Sequence, residues 1–159
     1  MLFDDRYALV VRRGHPLTRK RRIRRQDLLA YDWVAPPPDT PRRAVYDALF
    51  AGLDRLPRST LQTSSPNLTR AILTETDRIT LLSRYESRAE QEMGFLTVLP
   101  FAVPHPARQL QVTTRADWLP TAVQARFLKA LHDQAQGTEG AGALVRSRRV
   151  PSQSANAAR

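Results

Sequence analysis

Three features of this 159-residue chain predict an α/β fold built on a mixed sheet. Tyr7-Ala8-Leu9-Val10-Val11 is a run of β-formers with no polar alternation, the pattern of a strand buried on both faces. Two later strand-like segments, 32–35 and 58–63, each run into a helix start marked by a cap residue and a proline. Strand and helix then keep alternating to residue 99, as they do in layered α/β domains.

Taken in order, Gly14 and Pro16 end the first strand, and a basic loop follows at 19–25. Gln26-Asp27-Leu28-Leu29 reads as one helical turn, and Asp32-Trp33-Val34-Ala35 as a strand stopped by Pro36-Pro37-Pro38. Asp39 or Thr40 caps the next helix, and Pro41 sits where a missing N–H costs nothing. Val45, Ala48, Leu49 and Leu53 recur along that helix, with Gly52 at its end. The alternating strand 58–63 leads to Ser64-Ser65-Pro66-Asn67, a second capped start, with Leu68, Ala71 and Ile72 expected on one helix face. Segment 77–83 is a second buried strand, 85–93 a polar helix ended by Gly94, and 95–99 a further strand. Pro100, Pro104 and Pro106 break the chain before a strand at 108–114, and an amphipathic helix at 119–136 carries Val123, Phe127, Leu128 and Leu131 on one stripe. Residues 137–159, poor in bulky apolar groups, read as a disordered tail.

Composition excludes several classes. With 42% hydrophobic and 25% charged residues the chain supports a packed core, and without cysteine it has neither disulfides nor a thiolate metal site. His15, His105 and His132 are too scattered to suggest ligation and read as turn or surface residues. No apolar stretch approaches the roughly 20 residues of a membrane span, and a cytoplasmic protein with no membrane partner is the expectation. The net charge of +10 is uneven: residues 1–25 carry +7, residues 137–159 carry +3, and the rest balances. The run Arg19-Lys20-Arg21-Arg22-Ile23-Arg24-Arg25 reads either as a solvated loop or as a phosphate contact, without aromatic residues between the cations.

No catalytic motif is present: there is no phosphate-cradling glycine loop, no nucleophile elbow and no paired metal-binding histidines. Neither a catalytic residue nor a cofactor or metal is expected. The candidate binding residues are Thr63, Ser64, Ser65 and Asn67, with Thr40 as a further candidate, because helix starts that follow strands offer exposed N–H groups and the positive end of the helix dipole. Ser65 reads equally as a plain helix cap. Trp33 and Trp118 read as core or lobe-packing residues.

An ordered series of segments resembles the effector-binding domain of LysR-type transcriptional regulators. The series comprises Leu2-Phe3-Asp4-Asp5 with Tyr7 to Val11, Gly14-His15-Pro16-Leu17, Asp27-Leu28, Asp32-Trp33-Val34, Thr63-Ser64-Ser65, Asp77-Arg78-Ile79-Thr80-Leu81-Leu82, Gly94 with Leu99-Pro100, and Thr114-Arg115. It spans about residues 1–135 in family order. The resemblance implies a type 2 periplasmic-binding-protein-like fold in which residues 1–6 are a hinge crossing and 7–107 the second lobe. Residues 108–136 are then the return crossing with a first-lobe helix, and 137–159 the tail. The first lobe would be incomplete, and a DNA-binding head and linker helix would precede the sequence given.

By the same resemblance, Thr63 to Asn67 face an interlobe cleft that takes a small effector, among sugars and aromatic or other organic acids. Effector binding to the closed cleft would shift a hinge equilibrium. The implied partners are that effector, further copies of the chain, and DNA reached only through the N-terminal head. The alternative is a basic nucleic-acid binder acting through 19–25 and the C-terminal tail, while an enzyme is supported by no residue constellation.

Overall fold

The computed structural model describes residues 1–58 and 61–144. The chain forms two compact units, Asp5–Arg108 and a smaller one of Met1–Asp4 with the residues from Gln109 onward.

In the larger unit a five-stranded sheet has the order β4-β3-β5-β2-β6, made of β2 (Tyr7–Arg12), β3 (Trp33–Ala35), β4 (Leu61–Gln62), β5 (Ile79–Ser83) and β6 (Leu96–Val98). β3 pairs in parallel with both β4 and β5, while β2 is antiparallel to β5 and to β6. The sheet is therefore mixed. Residues 7–11 of β2 are all buried because side chains of alternate sign meet different layers. Tyr7, Leu9 and Val11 join Trp33, Ala35, Ile79 and Leu81 in a core closed by α1 (Arg25–Leu28) and α2 (Pro41–Phe50). Val10 points the other way, into a smaller cluster with Leu82, Leu96 and Leu73 of α3 (Pro66–Glu75). A strand covered on two sides has no use for polar alternation, which is why its sequence shows none.

Trp33 is fully buried at the centre of the larger cluster. Its indole N–H donates to Leu28 O at 3.2 Å, and its ring meets Tyr46 and Phe50 edge-on, both at 5.3 Å. Burial pushes the Tyr46 phenol up to about 12. The buried stripe of α2 is Val45, Tyr46, Leu49 and Phe50; Ala48 faces solvent, contrary to expectation. In α3 the buried residues are Thr69 and Leu73, while Leu68 and Ala71 are exposed. Helical spacing constrains which residues share a face, but the sheet beneath chooses the face.

His15 departs most from expectation. It is fully buried, its Nδ1 accepting the Leu17 N–H at 3.1 Å and its Nε2 lying 3.1 Å from the Asp77 carbonyl oxygen. Gly14 supplies the turn at φ 75°, after which residues Pro16–Arg19 form a 3-10 turn. The expected helix 85–93 shortens to α4 (Arg88–Glu92). Before it, Ser83 and Glu86 bind each other's backbone N–H groups at 3.0 and 2.9 Å, a reciprocal box that holds a turn.

β1 (Phe3–Asp5) pairs with β7 (Arg108–Leu110), and the Leu2 N–H donates to Leu110 O at 2.7 Å. The strand expected over 108–114 is shorter because its later residues have no ladder partner among the described residues. α5 (Ala122–Leu144) starts in a Thr121/Gln124 capping box. It also continues through 137–144, where a disordered tail was expected, although three glycines there lower the local helix propensity. Residues 145–159 of that tail, and Ser59 and Thr60 of the expected strand, lie outside the described residues. Val123 and Phe127 of α5 are 76% and 65% exposed, so their stripe has no cover among the described residues, and Leu119, ahead of the helix, is 88% exposed.

Candidate functional site

Parallel pairing of β3 with β4 sets Val34 beside Leu61 and Ala35 beside Gln62, so both strands end on the same edge of the sheet. Each then enters a loop and a helix. The structure thereby brings Thr40 and the segment Thr63–Asn67 to one end of the larger unit, and the Thr63 N–H closes the gap by donating to Ala35 O at 3.4 Å.

Thr40, rather than Asp39, caps α2: its hydroxyl donates to Pro37 O at 2.9 Å and accepts the Arg43 N–H at 3.2 Å. Asp39 instead takes a left-handed turn at φ 60°, a conformation that aspartate tolerates better than most residues. Ser65 caps α3 with a longer bond, 3.4 Å from the Leu68 N–H, while its carbonyl holds Thr69. The Thr63 hydroxyl accepts the Ser65 N–H at 3.0 Å, and Asn67 Oδ1 accepts from Arg70 at 3.3 Å. Ser64 is exposed and, like the Asn67 N–H, makes no hydrogen bond among the described residues. Pro66 has no donor, so this edge presents the Asn67 N–H, the Ser64 hydroxyl and a stretched cap at a positive helix end.

A charged cluster at the same end went unread in the sequence. Tyr7 opens β2 opposite Ser83, the last residue of β5. Arg108 lies over the Tyr7 ring at 4.8 Å, donates to its hydroxyl at 3.3 Å, and holds buried Asp5 at 2.5 Å. Burial works against the Arg108 charge, but the Asp5 bond, with Tyr7 and Glu86 nearby, keeps its pKa above the ordinary arginine value. Its Nε is buried without a partner. Arg42, in the first turn of α2, sits 6.0 Å from the Tyr7 ring and binds Glu86 at 2.7 and 2.8 Å. His105 meets Tyr7 edge-on at 5.6 Å. These residues come from four separate segments, so no local motif announces them; the acidic pair at Asp4-Asp5 before an apolar strand is the nearest signal.

Two surface concavities lie at the other end of β3. One, of about 250 Å³, is lined by Tyr31, Asp32, Arg55 and Arg58, and its neighbour by Gln26, Leu53 and Arg55 among others. Neither includes a sequence-predicted site residue. Among the described residues no group of three or more His, Asp or Glu side chains is placed to hold a metal ion, and no helix is long and apolar enough to cross a membrane.

Residues 1–136 match the model of the LysR substrate binding domain. The chain belongs to that family. It is 41% identical over 76 residues to the HTH-type transcriptional regulator GbpR of Rhizobium radiobacter, covering 47% of this chain and 25% of that protein. To the HTH-type transcriptional regulator GalR of Pseudomonas putida it is 27% identical over 125 residues, 77% of this chain and 31% of the relative. The LysR chain thus spans a third or less of the length of these curated relatives. Among solved structures, the regulatory domain of Synechocystis CcmR in complex with 2-PG superposes with a TM-score of 0.63 at 21% identity, over 85% of this chain and 65% of that one. The effector-binding domain of QuiR in complex with shikimate gives 0.58 at 18% identity, over 86% and 64%. The mixed sheet flanked by helices is that of the LysR substrate-binding domains, the type 2 periplasmic-binding-like fold. Family and relatives are transcriptional regulators.

Proposed function

We propose that this LysR domain senses a small-molecule effector in an interlobe cleft and, as part of a cytoplasmic regulator joined to a DNA-binding head, transmits occupancy to transcription without catalysing a reaction. The observation that carries the reading is the convergence of two strand-to-helix junctions, Thr40 and Thr63–Asn67, on one edge of the sheet. Free donors at that edge, the Asn67 N–H and the Ser64 hydroxyl, suit a carboxylate or sugar hydroxyl, and the positive helix end adds to the attraction for an anion. The complexes of CcmR with 2-PG and of QuiR with shikimate support a small polar effector, here among sugars and aromatic or other organic acids. Residues 1–6 act as hinge crossing, 7–107 as second lobe and 108–136 as return crossing with a first-lobe helix. An effector that favours the closed arrangement shifts the population by its difference in affinity between the two states. Copies of the chain associate, with the exposed stripe of α5 as part of the contact.

The test is a thermal-shift screen against sugars and organic acids on the chain and on a Ser64→Ala, Ser65→Ala variant. A ligand at a hundredfold excess over its Kd stabilises by about 2.7 kcal/mol. The variant should start lower by about 1 kcal/mol, for its lost cap, and should lose the ligand response. A screen with no stabilising compound, or a response unchanged in the variant, refutes the site.

A further inference from the structure

The basic run at 19–25 takes a definite form. Ile23, 7% exposed, is buried in the same core cluster as Leu17 and Leu28, while Arg19, Lys20, Arg21, Arg22, Arg24 and Arg25 are all exposed. The 3-10 turn on one side and α1 on the other fix its ends. A loop pinned at its middle and both ends holds its charges on the surface and has less freedom left to lose on binding. Lys20 pairs with Asp27 at 2.7 Å, and Arg25 reaches the carbonyls of Leu49 and Ala51 at 3.4 and 3.0 Å. Arg19, Arg21, Arg22 and Arg24 form no ion pair among the described residues. Arg55 and Arg58 extend the same face, on the rims of the concavities beside Gln26 and Tyr31. This face lies at the N-terminal end of β3, away from Thr40 and Ser65.

We infer that this face is a sequence-independent contact for the sugar-phosphate backbone of duplex DNA, additional to any recognition head. Arginine forks match phosphate oxygens in two-point hydrogen bonds, and five of the six exposed cations of the loop are arginines. The loop offers no aromatic ring for stacking on unpaired bases, which favours a duplex over a single strand. Its apolar residues, Leu17 and Ile23, point inward, so it has nothing to insert into a lipid surface. Its relatives are HTH-type transcriptional regulators, which brings duplex DNA within reach of such a face.

The experiment titrates the full chain with a random-sequence duplex between about 50 and about 200 mM salt, the range in which phosphate contacts change affinity most visibly. Each phosphate neutralised contributes about 0.9 to the slope of log affinity against log salt, so the triple variant R21A/R22A/R24A should lose up to about 2.7 from that slope. The charge-preserving R21K/R22K/R24K should keep most of it, and S64A/S65A should leave it unchanged. No binding at the lowest salt, an R21A/R22A/R24A slope equal to that of the parent, or binding to phosphatidylserine-containing vesicles in preference to the duplex would each overturn the proposal. The S64A/S65A variant separates this outcome from failure of the effector reading.

Discussion

Acidification should weaken this domain through one side chain, His15. Its two contacts select a tautomer: Leu17 offers an N–H and Asp77 a carbonyl oxygen, so the proton belongs on Nε2 and Nδ1 must accept. A second proton would have to sit on Nδ1, against the Leu17 N–H. Burial lowers the His15 pKa below the ordinary 6.5, and the Asp77 backbone bond and charge offset this only in part. The unfolded chain therefore takes up a proton that the folded chain resists. The sign follows: the His15 contribution is fully present above pH 6.5 and is lost as pH falls from there toward the folded value. The slope in that window is at most about 1.4 kcal/mol per pH unit, and for a chain of this size about 1 kcal/mol moves the Tm by about 2–4 °C. Urea unfolding measured between about pH 5 and about pH 8 on the parent and on His15→Leu isolates the effect. His15→Leu should cost about 1–3 kcal/mol at neutral pH, for a stranded N–H and a stranded carbonyl, and should lower the slope below pH 6.5. Equal slopes in the two proteins would refute the assignment.

Trp33→Ala should cost about 3–5 kcal/mol by urea unfolding, because the ring fills the space between Tyr46 and Phe50 and its N–H serves Leu28 O. Gly94→Ala should cost about 1–2 kcal/mol through its φ of 78° alone. The new methyl would come within 2.9 Å of Arg13 Nη1, the free end of a flexible chain that moves aside, so Arg13→Ala should not rescue it. Replacing Val123 and Phe127 by Glu should reduce self-association in light scattering, since both are exposed on one face of α5.

Local chemistry made much of this fold legible in the sequence. The apolar run of β2 shows a strand covered on both faces, and Thr40-Pro41 and Ser65-Pro66 show helix starts within a residue of where α2 and α3 begin. Legibility failed where distant segments decide. Ala48 and Leu68 have helical spacing suited to burial, yet the sheet selects the neighbouring rows 45/46/49/50 and 69/73. His15 looked like a turn residue because its partner, Asp77, lies 62 positions away. Arg108 with Asp5, and Arg42 with Glu86, meet only once the sheet has formed.

The antiparallel seat of β2 also bears on how this protein is made. Leu9 pairs with Leu81 and Val10 with Val98, so β2 leaves the ribosome long before either neighbour exists. At about 5–20 residues per second, the 72 residues added after Leu9 up to and including Leu81 take about 4–14 s to synthesise. Throughout that interval five consecutive residues with no charge among them, Tyr7 to Val11, have both edges unpaired. Chaperone demand should therefore depend on translation speed across residues 12–98 more than on the stability of the finished domain, and slow codons there would lengthen the exposure.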